Sequence, residues 1–335
     1  MRLLFLMGVS VLACCPGASA AVPAPSAELL PVDPIGPSVA LTEFTTEAVQ
    51  PVSLCDCCAC GPSAYWYDEL TLFAGIDGSK QPQDFGVNAN LGAQLQFNLG
   101  LPVSREYGIG AQIGSSLIPS TNAVQVYDLV GETTDRLQSY TTVGLYQRTP
   151  SGFAWGFVYD FLYEDSYDQF SLGQWRVRGA FDVGPRSEVG LTAHLSGQDA
   201  SGEFNAAGLG GPKPLTLRPI AQGSLYWRRF WETGTQTTLW FGLAEGHGEN
   251  NAVTGPAADK DESFVMGADI LAPLNDYLAI YGETNLIMPP DTGTVDAFLG
   301  VQFFPGGGAK RARRTPFAPL LPVAAPTSFS VDLVQ

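Results

Sequence analysis

The sequence predicts an all-β protein, an up-and-down antiparallel transmembrane β-barrel of about twelve strands. Three observations lead there. Apolar and polar residues alternate with period two through most of residues 65–304, which puts the two sets on opposite faces of a strand and would scatter them around a helix. The connections between these runs alternate between short turns and longer loops, the rhythm of an antiparallel meander. The polar face is built from Gly, Asn, Gln, Ser and Thr, and no predicted strand contains Lys. A sheet facing water normally carries Lys and Glu there.

Composition narrows the class further. Of 335 residues, 45 % are apolar, 11 % are aromatic and 15 % are charged, the last well below the roughly 25 % of soluble domains. The formal charge of −16 excludes nucleic acid as a partner, because phosphate binding needs a basic surface. No apolar run after the N-terminus reaches the length of about 20 residues that a membrane helix needs.

At the N-terminus, Arg2, the apolar stretch Leu3 to Ala13 and the small residues Ala18-Ser19-Ala20 have the order of a secretory signal peptide covering residues 1–20. Lipoprotein processing at Cys14 is the alternative. Residues 21–64 are rich in Pro and Ala and read as an extended spacer. It carries Cys55, Cys57, Cys58 and Cys60 in the sequence Cys-Asp-Cys-Cys-Ala-Cys. An exported compartment favours disulfides or interchain crosslinks here. A metal site is the competing reading, although zinc sites usually set their two pairs well apart.

Predicted strands follow near 69–76, 87–99, 105–117, 138–148, 152–164, 169–183, 186–196, 217–231, 235–245, 263–271, 276–287 and 293–304. From Val87 to Leu99 every odd residue is apolar, and from Phe153 to Tyr163 every odd residue is aromatic. Turn chemistry marks the short links, as in Thr149-Pro150-Ser151-Gly152 and Pro273-Leu274-Asn275-Asp276. Beyond the strands, residues 305–335 form a tail that is rich in Gly, then basic, then rich in Pro. It is expected to be solvated, with Lys310, Arg311, Arg313 and Arg314 available to an anionic envelope polymer.

Many of these strands suit a tilted membrane crossing of about 9–11 residues, and an even number lets a barrel close without an edge. Aromatic residues crowd strand ends, among them Trp231, Tyr277, Phe303 and Phe304, where interfacial girdles sit. The apolar rows are therefore expected to face lipid.

The Pro-rich exported leader with its Cys cluster, followed by Leu72-Phe73-Ala74-Gly75-Ile76-Asp77-Gly78, resembles an uncharacterised family of planctomycete outer-membrane-type β-barrels. The likeness covers roughly residues 55–304. It implies a barrel in the outer membrane, and no assigned activity. The closing Phe303-Phe304 resembles the terminal aromatic signal of outer-membrane barrels and implies handling by the barrel-assembly machinery.

Three functions follow as expectations. The first is a passive, porin-like channel for small solutes. Its lumen would be lined by Arg148, Asp160, Arg176, Arg178, Asp182, Glu188, Arg228, Glu283 and Asp296, with inward glycines such as Gly110, Gly114 and Gly156 leaving space. An internal ion-pair lattice competes with a selectivity filter for the same charges. The second is a structural or adhesive envelope protein, crosslinked through the cysteines. The third, more remote, is a lipid hydrolase. His194-Leu195-Ser196 is similar to the His-x-Ser pair of outer-membrane lipid hydrolases, but here both side chains take the lumen face and no clear third member sits at a matching position, though Asn205 lies in the following loop. Since no nucleotide, metalloprotease or haem motif occurs, neither enzyme activity nor a cofactor is expected. The expected location is the outer membrane, with its lipids as partners and both tails periplasmic.

Overall fold

The computed structural model describes residues 67–81, 89–122, 131, 133–205, 211–245, 250–251, 255–256, 263–288 and 294–334. The leader, the spacer and all six cysteines lie outside the described residues. The strands in chain order are β1 (Leu70–Lys80), β2 (Asn90–Ser104), β3 (Ile109–Asn122), β4 (Asp135–Arg148), β5 (Phe153–Asp165), β6 (Gln169–Asp182), β7 (Ser187–Gln198), β8 (Ala200–Phe204), β9 (Lys213–Pro219), β10 (Gln222–Phe230), β11 (Gln236–Ala244), β12 (Asn250–Asn251), β13 (Gly255–Pro256), β14 (Ser263–Pro273), β15 (Leu278–Met288), β16 (Val295–Phe303) and β17 (Val331–Val334).

Twelve of them close into one antiparallel barrel in the order β1-β16-β15-β14-β11-β10-β7-β6-β5-β4-β3-β2. Closure is made by β1 against β16, in register from Leu72 opposite Phe303 to Lys80 opposite Val295. No strand of the barrel is left with an unpaired edge, so the backbone groups of the wall are satisfied within it. Tight turns link strands at one end, where Gly152 (φ 81°) and Gly234 (φ 83°) take left-handed backbone that a side chain would strain. The start of β1 and the end of β16 lie at this turn end. The opposite end carries the longer loops, including a three-stranded sheet of order β17-β9-β8.

The predicted strand over 217–231 is two strands. β9 stops at Pro219, which has no amide hydrogen to continue a ladder, and it pairs with β8 and β17 outside the wall. The wall resumes at Gln222, where β10 pairs with β7 and β11.

The two faces have the polarity the alternation predicts. Leu191, Leu195, Leu225, Leu239, Phe241 and Leu299 stand exposed on the outer face. Gln94, Gln112, Thr142, Asp160, Gln174 and Arg176 are buried inside. Phe157 stacks on Trp175 across β5 and β6 on the outside, with ring centroids 4.8 Å apart. Of the strand-end aromatics, Trp231, Tyr277 and Phe303 are exposed, whereas Phe304 turns inward and joins an apolar cluster with Phe73, Tyr281 and Ala309.

The C-terminal residues correct the expectation of a solvated tail. Chain reversal after β16 uses Gly307 and Gly308, both at positive φ, and a short 3-10 turn at Ala309–Arg311. The chain then enters the lumen. Ala318, Leu320, Leu321, Val323, Ala324, Phe329, Val331 and Leu333 are all buried, and β17 emerges beside β9 at the loop end. The apolar clusters explain why. Leu320 and Leu321 pack with Tyr146, Val158 and Tyr226, and Phe329, Val331 and Leu333 pack with Ile118, Tyr140 and Leu162. Burying each such large side chain contributes about 1.5–3 kcal/mol, which a tail in water would forgo.

Candidate functional site

The filled lumen is the site. Period-two geometry aims a polar side chain inward at every second position of each strand, and the threaded segment supplies the backbone groups that these side chains bind. Thr142, Asp160 and Gln174 are cross-strand neighbours on β4, β5 and β6. Arg176 grips Asp160 with two bonds, Nε to Oδ2 at 2.5 Å and Nη2 to Oδ1 at 2.9 Å. Thr142 donates to the same carboxylate at 2.7 Å and Gln174 at 3.1 Å. The cluster reaches the segment as well. Arg176 donates to the Pro322 carbonyl at 2.8 Å, Gln174 donates to that of Ser328 at 2.8 Å, and the Ala324 amide donates to Thr142 at 2.9 Å.

On β2 and β3, Asn98 and Gln112 donate to the Leu321 carbonyl at 3.3 and 3.1 Å, and the Leu321 amide donates back to Gln112. Tyr146 donates to the Phe317 carbonyl. These are the bonds of a strand in a sheet, made instead by side chains.

A second network fills the opposite wall. Glu188 accepts from Tyr226 at 2.8 Å and from Arg228 at 2.9 Å. Arg228 also donates to Thr238, whose hydroxyl donates to Asp269 at 2.9 Å. Arg313 of the segment completes the chain by donating to both Asp269 oxygens at 3.1 Å. Arg313 holds left-handed backbone, φ 64°, unusual for a residue with a Cβ. At the turn end, Thr315 donates to Glu69, just ahead of β1, at 2.8 Å. Burial raises the Glu69 carboxyl above its usual range despite that bond.

The predicted lumen residues sort clearly. Asp160, Arg176, Glu188, Arg228 and Asp296 are buried inside, and Arg178 and Glu283 also face inward. Arg148 is half-buried at the end of β4, and Asp182 is exposed at the turn-end rim. Asp296 accepts from Gln81 at 3.2 Å, and Glu283 from Tyr281 at 2.9 Å. The basic run divides: Arg313 is drawn into the lumen, Arg314 donates to the Pro185 carbonyl, and Lys310 pairs with Asp276 at 3.4 Å. The predicted pair His194 and Ser196 finds separate partners. His194 bonds Gln222 at 2.8 Å, and Ser196 donates to Asp199 at 3.2 Å.

The inward glycines do leave space, and the segment takes it. A Cβ on Gly156 would lie 2.7 Å from Leu321 Cδ1, and one on Gly114 would run into Val323. Gly110 makes room for the Tyr146 ring in the same way.

Sequence reading missed Asp269 and placed Arg313 in a solvated tail. Asp269 was legible, because Ser263, Val265, Asp269 and Leu271 share the buried parity of β14. For the segment, the signal was its own content of Phe317, Leu320, Leu321, Val323, Phe329, Val331 and Leu333, too apolar for a solvated tail.

Among the described residues, no group of three or more His, Cys, Asp or Glu side chains is placed to hold a metal ion. The chain belongs to the DUF6666 family, a family of unknown function. Its match extends over residues 69–331, from just before β1 to the first residue of β17, and so includes the threaded segment. No curated protein matches the chain. Among solved structures, it is similar to the outer membrane phospholipase dimer of Salmonella typhi with bound calcium. That likeness has 11 % identity and a TM-score of 0.38, and covers 72 % of this chain and 93 % of that one. A Pseudomonas aeruginosa FadL homologue gives 9 % identity and a TM-score of 0.43 over 70 % of this chain and 89 % of that one. The NanC porin gives 9 % identity and a TM-score of 0.38 over 69 % and 98 %. At this level of identity the likeness says nothing of activity.

Proposed function

We propose that this protein is an outer-membrane barrel and a porin-like channel for small solutes, held shut by its own C-terminal segment. The observation that carries the proposal is the fit between bore and segment. Side chains of β2, β3, β4 and β6 bond the backbone of residues 317–328, and inward glycines leave the room its side chains occupy. Membrane placement is supported by the exposed leucines and aromatics on the outer face, which water would leave unsatisfied over so large an area. The turn end is read as periplasmic, since short turns take that side in bacterial barrels. The N-terminal spacer then starts in the periplasm, and the chain's last strand lies at the outward-facing end. The Phe303-Phe304 close of β16 supports handling by the barrel-assembly machinery.

Planar-bilayer recordings test the proposal. Full-length protein is expected to show little or no conductance, and removal of residues 305–335 to give small, discrete single-channel steps. A truncated barrel that folds, keeps its heat-modifiable gel mobility and passes no current overturns the channel. That outcome favours the second reading, a structural envelope barrel stiffened by its filler, which the buried ion pairs Arg176–Asp160 and Arg228–Glu188 support.

A further inference from the structure

The segment does not fill the whole bore. Between it and the wall of β1, β2, β6, β10, β14, β15 and β16 lies a cavity of about 310 Å³, reaching from the turn end inward to Leu320 and Leu321. Asp68, Glu69 and the Gly306–Gly308 run line its turn-side end. Deeper in, Arg178, Arg228, Arg313 and Asp269 line it together with Leu271 and Phe304.

Four arginines line the cavity: Arg311 beside the Gly306–Gly308 run, and three deeper in, of which two are neutralised. Arg228 has Glu188 at 2.9 Å, and Arg313 has Asp269 at 3.1 Å. Among the described residues Arg178 makes no ion pair: Glu188, whose charge acts on it from farther off, is itself held by Tyr226 and Arg228. Arg178 donates to the Thr192 hydroxyl at 3.3 Å and the Leu320 carbonyl at 3.1 Å, and it lies over the Tyr226 ring at 4.7 Å. Neutral acceptors and an aromatic face orient a guanidinium without cancelling its charge. A cation half-buried on the wall of a narrow cavity is better satisfied when an anion joins it. The acids of the cavity do not serve. Glu69 at the turn-side end already accepts from Thr315, Asp68 beside it has a partner of its own, and Asp269 deeper in is bound by Arg313 and Thr238.

We propose that this cavity is a binding site for a small organic carboxylate. Its oxyanion pairs with Arg178, and its body occupies the rest of the cavity, whose edges include the packed side chains of Leu271 and Phe304. Arginine's planar fork matches a carboxylate, and a space of about 310 Å³ exceeds what an inorganic anion would fill. The site does not require the segment to move, so it stands or falls separately from channel opening.

Calorimetric titration of the purified, folded full-length protein with benzoate tests this, with inorganic phosphate and choline as companion probes. Saturable benzoate binding is expected, together with weaker phosphate binding and no choline binding. Arg178→Gln, which keeps an amide donor but removes the charge, is expected to weaken benzoate binding about tenfold or more. Arg229→Gln, outside the cavity, serves as the matched control and is expected to leave binding unchanged. Absent benzoate binding, benzoate binding that Arg178→Gln leaves intact, or phosphate binding as tight as benzoate binding would each overturn the proposal. Unchanged heat-modifiable mobility of Arg178→Gln confirms that a loss reflects the site rather than the fold. Binding that persists in a protein that never conducts leaves this inference standing while the channel falls.

Discussion

Asp160 shows what a single side chain does inside this barrel. It is fully buried, and Arg176, Thr142 and Gln174 all donate to it. Arg176 beside it is 1 % exposed and also holds the Pro322 carbonyl. Two desolvated charges gain little net stability over an apolar pair, but removing one leaves the other uncompensated. Asp160→Asn is therefore expected to destabilise the barrel by about 3–5 kcal/mol, read as a lower denaturant midpoint for loss of heat-modifiable mobility. A change of under about 0.5 kcal/mol, typical of surface sites, would show that water reaches Arg176 in solution.

At the scale of elements, the C-terminal segment is the unusual one. It crosses the lumen without strand partners of its own until β17 meets β9, and side chains of the wall take the place of a neighbouring strand. Its docking depends on conditions at the turn end, where Glu69 sits against Thr315. Burial raises the Glu69 carboxyl, so the seated state binds a proton more readily than the released state does. Linkage then gives the sign: seating weakens as pH rises through the Glu69 titration. With Ala324→Cys as reporter, buried in the seated state, maleimide labelling is expected to rise as pH increases above the ordinary glutamate value of about 4.3. Rates are taken relative to the same protein unfolded. Glu69→Gln is expected to flatten that dependence, and a slope that survives the substitution would assign the pH response to another group.

Over the whole molecule the polarity is inverted, with charge and amide inside and leucine outside. Leu225 illustrates it: 68 % exposed, midway along β10 and opposite Leu191 on β7. If lipid covers this face, Leu225→Arg is expected to cost about 2–4 kcal/mol of folding stability in bilayers, measured by folding titrations in lipid vesicles. On a face in water the same change would be close to neutral. A neutral result in vesicles would therefore contradict the membrane reading outright.

How much of this was legible in sequence follows from the range of each signal. The period-two pattern fixes which side chain takes which face of a strand, and a tally of such strands fixes closure, because both depend on residues adjacent in the chain. Asp160, Arg176, Glu188 and Arg228 were assigned to the lumen on that ground alone, and all four are buried there. Asp182 shares their parity and still ends in solvent, because parity says nothing of depth along the barrel. The partners were beyond reach. Arg176 and Asp160 are 16 positions apart, Arg313 and Asp269 are 44, and Gln112 and Leu321 are 209. The residues after β16 carry no periodicity, so although their apolar content argues against a solvated tail, nothing local says where in the molecule they dock. The amino-acid order by itself determined a closed wall with a greasy outside and a polar inside. Only the tertiary structure decided that the inside is occupied, since occupancy depends on whether a distant stretch of chain matches the glycine-made space and the waiting donors of the wall.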